Sequence, residues 1–239
     1  MQEKVVADNF NIYDVFVRFG PGCILVGFFY YCCSLLFHNS INIEFYMKLL
    51  IYISLSYIAG CLIRALVRPI FKFYNRMYFG GQPRNIYLSG NLGKAKVLKH
   101  EVTRNLAERV KKNVATRLNL YNFSEMEINH FVFGYMINRL VIDGHSNKSD
   151  RINSLSEMCS SFAVTIILCD LIGIFTLAGL AQMGKCPTNV IEIIAVGLLL
   201  SLVGEVSSCY LYSHYVQMRF TIVVKQFVVS NEWAVAVEK

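Results

Sequence analysis

The chain is 239 residues long, 55% hydrophobic and only 16% charged, with a formal charge of +7. Soluble domains are about a quarter charged, so a mean hydropathy of +0.44 excludes an ordinary water-soluble enzyme and points to a membrane protein. The eight cysteines form neither a disulfide framework nor a metal site, since most lie in apolar runs and none is spaced as CxxC.

Residues 1–15 carry Glu3, Lys4, Asp8 and Asp14 and lack the basic start of a signal peptide. The apolar run 16–37 is therefore read as an uncleaved first span, with Arg18 and Gly20-Pro21-Gly22 in its first turns. A loop without Lys or Arg leads to a second span, 45–66, which carries Arg64 and stops at Arg68 and Pro69. Between Arg68 and Glu157 stand fifteen Lys/Arg against seven acids, an excess of eight. The positive-inside rule places that segment and both termini in the cytoplasm.

This basic segment has its own pattern. Phe71, Phe73, Tyr74, Met77, Tyr78 and Phe79 interleave with Lys72 and Arg76, a composition suited to the headgroup layer. Gly80, Gly81, Pro83, Gly90 and Gly93 mark a loop. From Lys94 a helix is expected with an apolar stripe at Leu98, Val102, Leu106, Val110, Val114 and Leu118. Lys94, Lys96, Lys99, Arg104, Arg109, Lys111, Lys112 and Arg117 surround that stripe as a basic face. Ser124-Glu-Met-Glu127 reads as a capping box opening a second helix that buries Ile128, Phe131, Val132, Tyr135, Met136 and Leu140 and stops at Asp143-Gly144. Ser149-Asp150 caps a third helix, expected to run unbroken into the third span, 161–180. A short loop and a fourth span, 190–212, follow.

The expected architecture is all-α: a polytopic membrane protein of four spans with a small helical cytoplasmic insert. It divides into an N-terminal hairpin (1–66), a basic helical region (67–157), a C-terminal hairpin (158–215) and a cytoplasmic tail (216–239).

Asp170 in span three and Glu205 in span four are the strongest functional hint, because a carboxylate within a bilayer costs a few kcal/mol unless protein, water or a counter-charge meets it. Both lie at similar depth, and Arg18 and Arg64 lie nearer the same face. The set fits an acid-lined pore or vestibule with the arginines as partners or gate, or equally an ion-pair cluster locking four helices. Gly197, Ser201, Gly204 and Ser208 share a face of span four, a step that lets helices pack closely, within one chain or between copies.

Three shorter matches carry less. Arg139-Leu-Val-Ile-Asp-Gly-His145 fits R-x(4–6)-H, the signature of HEPN ribonucleases, but a helix end explains it too. Gly90-Asn-Leu-Gly93-Lys94 lacks the second half of a phosphate loop. The basic face suits anionic lipid headgroups, with RNA or a nucleoprotein as the alternative partner. No residue set suggests a metal, a cofactor or a catalytic constellation of usable spacing.

The order of features resembles a known group. Tyr13-Asp14 before Gly20-Pro21-Gly22, the Tyr57-Ile-Ala-Gly60 step, the basic helical insert, Arg151 ahead of span three and Arg219-Phe220 after span four are similar to small multi-spanning proteins encoded beside prokaryotic anti-phage systems. Membrane accessory proteins of type VI-B CRISPR loci, beside RNA-guided ribonucleases, are the members it most resembles. The resemblance implies a membrane effector or modulator that perturbs the inner membrane when defence is triggered; the first reading is accordingly an oligomeric inner-membrane protein that forms or gates a pore and is not an enzyme. Some such proteins are associated with R-x(4–6)-H, which gives Arg139 and His145 a secondary role as candidates.

Overall fold

The structure, a computed structural model, describes residues 12–37, 44–83, 88, 101–184 and 188–230. Among these residues there is no strand, and six α-helices run in the order α1 (Ile12–Phe37), α2 (Phe45–Tyr78), α3 (Glu101–Arg117), α4 (Glu125–Ile142), α5 (Asn147–Gln182) and α6 (Thr188–Ser230). Helices α1, α2, α5 and α6 are long and apolar enough to cross a bilayer. The chain is an all-α, multi-span membrane protein.

Three of these helices outrun the spans read from sequence. Helix α2 passes through Pro69 and ends only at Tyr78, where Gly80 adopts φ 74°. Its 34 residues are about 51 Å long, against a hydrocarbon core of about 30 Å. Proline removes one N–H from the ladder, and the bonds on either side are enough to carry the helix past it. Helix α5 begins at Asn147, two residues before the expected Ser149 cap, and reaches Gln182 unbroken. Helix α6 continues to Ser230, so 216–230 is helix rather than loose tail.

The described chain forms two compact units, 1–70 with 154–212 and 71–153 with 213–239. In the first, helix contacts are read from the small residues. A Cβ on Gly22 would collide with the Ser56 carbonyl, and one on Gly60 with the Arg18 carbonyl, while one on Gly27 would stand 3.3 Å from the Tyr52 hydroxyl. As the α1 numbers rise the α2 numbers fall, so the two helices are antiparallel with their backbones nearly touching. Tyr52 closes the seam by donating to the Cys23 carbonyl at 2.7 Å. Gly20 lies against Phe162, Gly173 against Phe28 and Gly179 against Leu36, so α1 and α5 run parallel.

The second unit holds a conventional apolar core. Ala107, Val110 and Val114 of α3, Val132, Phe133, Met136 and Leu140 of α4, and Phe220, Val223, Val224 and Phe227 of α6 are buried together with Leu88 and Leu120. The capping box opens α4 as expected: Ser124 Oγ accepts from the Glu127 amide while the Glu127 carboxylate accepts from the Ser124 amide at 3.0 Å. The Ser124 hydroxyl also donates to the Glu127 carboxylate at 2.7 Å, and that bond first, the Ser124 amide's second, holds the Glu127 carboxyl below its ordinary value. Asn119, at φ 52°, turns the chain out of α3.

Of the face expected to be buried on α4, Val132, Met136 and Leu140 are buried and Ile128 and Tyr135 pack partly against the core, but Phe131 does not. Phe131 is exposed and stands edge-on to Phe123 at 5.6 Å, whereas Phe133 packs on Phe220 at 4.6 Å and Asn129 is buried. The α6 segment supplies the partner, and it is the segment read as tail.

Candidate intramembrane polar site

Asp170 of α5 and Ser201 of α6 meet directly, with Ser201 Oγ 2.8 Å from Asp170 Oδ2. The same hydroxyl lies 2.8 Å from the carbonyl of Leu198, so one proton serves two acceptors. One turn along, a Cβ on Gly204 would stand 3.1 Å from Ile166 Cδ1. Pairing 201 with 170 and 204 with 166 makes α5 and α6 antiparallel and puts Glu205 beside the Asp170 turn. Asp170, Ser201, Gly204, Glu205 and Ser208 are half-buried, while Leu202, Val203 and Val206 on the opposite side of α6 are exposed. Asp170 on α5 and Glu205 on α6 therefore lie on the protein-facing sides of their helices, in a seam where Ser201 is a hydroxyl donor.

The small-residue stripe divides at this point. Ser201 and Gly204 serve the α5–α6 contact within the chain, and Gly197 has no atom near its missing side chain.

The arginines do not join the carboxylates. Arg64 Nη2 donates to Glu157 Oε2 at 2.8 Å, and Arg18 Nη1 lies 3.5 Å from the Tyr57 hydroxyl. Depth explains the correction. Glu157 precedes Asp170 by thirteen residues, about 20 Å along α5. Arg18 lies near the level of Phe162, by the adjoining Gly20 contact, eight residues short of Asp170. Neither guanidinium spans that gap. Glu157 had a legible signal, an acid just outside span three near the depth of Arg64 in the last turn of span two. So did the crossing of α1 and α2, because Ser56 and Gly60 repeat in span two the small-residue step noticed only in span four.

Arg139 and His145 end α4. Arg139 Nε approaches Asp143 Oδ2 at 3.3 Å, close enough for ionic attraction but not aligned as a hydrogen bond. The His145 amide donates to the Leu140 carbonyl at 2.8 Å, and Gly144 at φ 73° makes the turn. On α3, Arg109, Lys112 and Arg117 are exposed, and Lys111 pairs with Glu125 at 2.9 Å. Lys94, Lys96 and Lys99 lie outside the described residues, as does the side chain of Arg104. Among the described residues, no three His, Cys, Asp or Glu side chains converge as a metal would need.

No family model matches the chain, and neither a curated protein nor a solved structure matches it.

Proposed function

We propose that this protein is an inner-membrane effector or accessory protein of a prokaryotic, CRISPR-type anti-phage system, with both termini cytoplasmic, that assembles into a homo-oligomer and forms or gates a pore. The observation that carries the reading is the Asp170–Ser201 bond with Glu205 in the same seam. Acids held within a span face protein or a water-filled path, and a hydroxyl donor among them suits the coordination of a passing cation or water. The order of sequence features supplies the defence setting.

The test is efflux of K⁺ and of a small dye from liposomes containing the purified chain. Wild type is expected to leak, whereas Asp170→Ala and Glu205→Ala, each confirmed folded by thermal melt, are expected to seal. Absence of leakage from wild type, with or without added RNA, overturns the pore reading.

A second reading is favoured by the exposed Arg109, Lys112 and Arg117 on α3. On that reading the protein is a non-conducting adaptor whose basic face docks a nucleoprotein or RNA, or anionic headgroups. Charge reversal at these three positions then abolishes partner capture while the Asp170 and Glu205 variants keep it.

A further inference from the structure

Arg18 and Arg64 lie together at the end of the first unit where α1 begins. The Arg18 backbone abuts Gly60, and Arg64 follows Gly60 by one turn, about 6 Å along α2. Both arginines sit on the faces by which α1 and α2 meet, since Arg18 precedes Gly22 and Arg64 follows Gly60 by four residues. Arg64 also reaches Glu157 of α5. Three helices thus converge on two guanidinium groups.

Those groups are poorly supplied with acceptors. Each guanidinium has five N–H donors. Arg64 Nη1 and Arg18 Nε are buried without a hydrogen-bond partner, and the Tyr57 contact is long at 3.5 Å. Among the described side chains Glu157 balances one of the two charges, and the exposed Arg68 one turn beyond Arg64 adds another. A site with an excess positive charge and a shortage of acceptors, at the end of a span, calls for an anion with several oxygens. The side chains of Arg64 and Glu157 are 33% and 36% exposed, so the seam is open at its rim.

We infer that Arg18 and Arg64 form a site for the phosphate of an anionic phospholipid, held in the seam of α1, α2 and α5. The planar guanidinium fork matches phosphate oxygens bidentately, where lysine would offer only a point charge. The position at the end of the spans puts the site at headgroup depth, which assigns the phosphate to lipid rather than to solution. This site is independent of any conduction by the Asp170–Glu205 seam.

The full chain is reconstituted in phosphatidylcholine vesicles doped with spin-labelled phosphatidylglycerol or spin-labelled phosphatidylcholine, and the motionally restricted fraction of each is measured. Wild type is expected to prefer phosphatidylglycerol, with the preference surviving high salt because direct hydrogen bonds are screened less than a diffuse layer. Arg18→Gln is expected to lower the preference roughly fivefold, the worth of one arginine at an anionic surface. Among the described side chains Arg18 has no carboxylate partner to orphan, so this variant is the primary one. Arg64→Gln combined with Glu157→Gln, which removes both charges of that ion pair, serves as the second. Lys72→Gln with Arg76→Gln, on the exposed basic stretch, is expected to leave the salt-resistant preference intact. Equal restriction of the two lipids by wild type, or an unchanged preference in folded Arg18→Gln, overturns the inference. Displacement of the labelled lipid by inorganic phosphate overturns the assignment to lipid.

Discussion

Where α1 meets α2, the contact is made by absent side chains: Gly22 lies on the Ser56 carbonyl and Gly60 on the Arg18 carbonyl. Where α4 meets α6, it is made by large ones, with Phe133 packed at a tilt on Phe220 and Phe227 fully buried. The difference follows from the medium. Lipid tails are as apolar as leucine, so helices in a bilayer gain little by burying leucine against each other and associate through close backbone packing and polar bonds. The second unit holds the basic excess and buries Phe71, Phe79, Phe133, Phe220 and Phe227, gaining about 1.5–3 kcal/mol for each large side chain removed from water. One chain thus uses two kinds of adhesive, and each fails under a different substitution.

Gly60→Leu strikes hardest. Its Cβ meets backbone rather than a flexible side chain, so the two helices must separate instead of adjusting locally. Loss of folded protein is expected, checked by thermal melting and limited proteolysis in detergent. Gly197→Leu is the matched control, since nothing lies near that position, and is expected to melt like wild type. Equal damage from both would show that the glycine step, rather than the backbone contact, is what α2 requires. The second unit breaks by the opposite change. Phe227→Ala should cost about 3–5 kcal/mol through the cavity it leaves, visible as a lower melting temperature. An unaltered melt would mean that the α6 end does not hold this core.

These two positions also show what could be read from sequence and what could not. The four apolar runs, the capping box at Ser124 and the stop at Asp143-Gly144 were legible because each is a local signal with a local cause. Asp170 and Glu205 stood out because an acid in hydrocarbon demands a partner, and the structure gives Asp170 one in Ser201. The partner of Arg64 was missed because charge alone does not fix depth. The burial of Phe220 to Phe227 was missed because their turns follow a span and carry Arg219 and Lys225, which resembles a solvated tail. A helix running past the membrane boundary leaves no mark at the boundary itself. Proline at 69 looked like an end for the same reason, since the sequence shows the lost N–H and not the turns that continue beyond it.

A smaller effect is expected at the ion pair that joins α2 to α5 within the first unit. Hydrogen bonds to charged groups contribute about 1.5–3 kcal/mol, and with both side chains a third exposed the lower end applies to Arg64–Glu157. Glu157→Gln should therefore lower stability by about 1.5 kcal/mol, and Arg64→Gln added to it should cost little more, because the partners share one interaction. Additive losses would mean that each residue holds the fold through other contacts. Conduction, if measured in the same variants, is expected to persist, since this pair lies about 20 Å along α5 from Asp170.

The smallest effect lies in the second unit and sharpens the contrast, because it is polar, local and pH-dependent. Ser124→Ala removes the hydroxyl that caps α4 and should cost about 1 kcal/mol at neutral pH. The Glu127 carboxyl is held below its ordinary value of 4.5 by its hydrogen bonds to Ser124. A depressed carboxyl contributes stability that is fully present above its unfolded value and lost as pH falls through the folded one. In wild type the second unit should therefore lose part of its stability below about pH 4.5. In Ser124→Ala the hydroxyl's share of that acid-sensitive part is absent, so the two proteins should differ at neutral pH and converge in acid. A gap between the melting temperatures that stays constant down to pH 3 would mean that the serine acts on the helix without the carboxylate. Among the described side chains no carboxylate lies at the glycine contacts of α1 and α2, so the cost of Gly60→Leu is expected to be the same at both pH values.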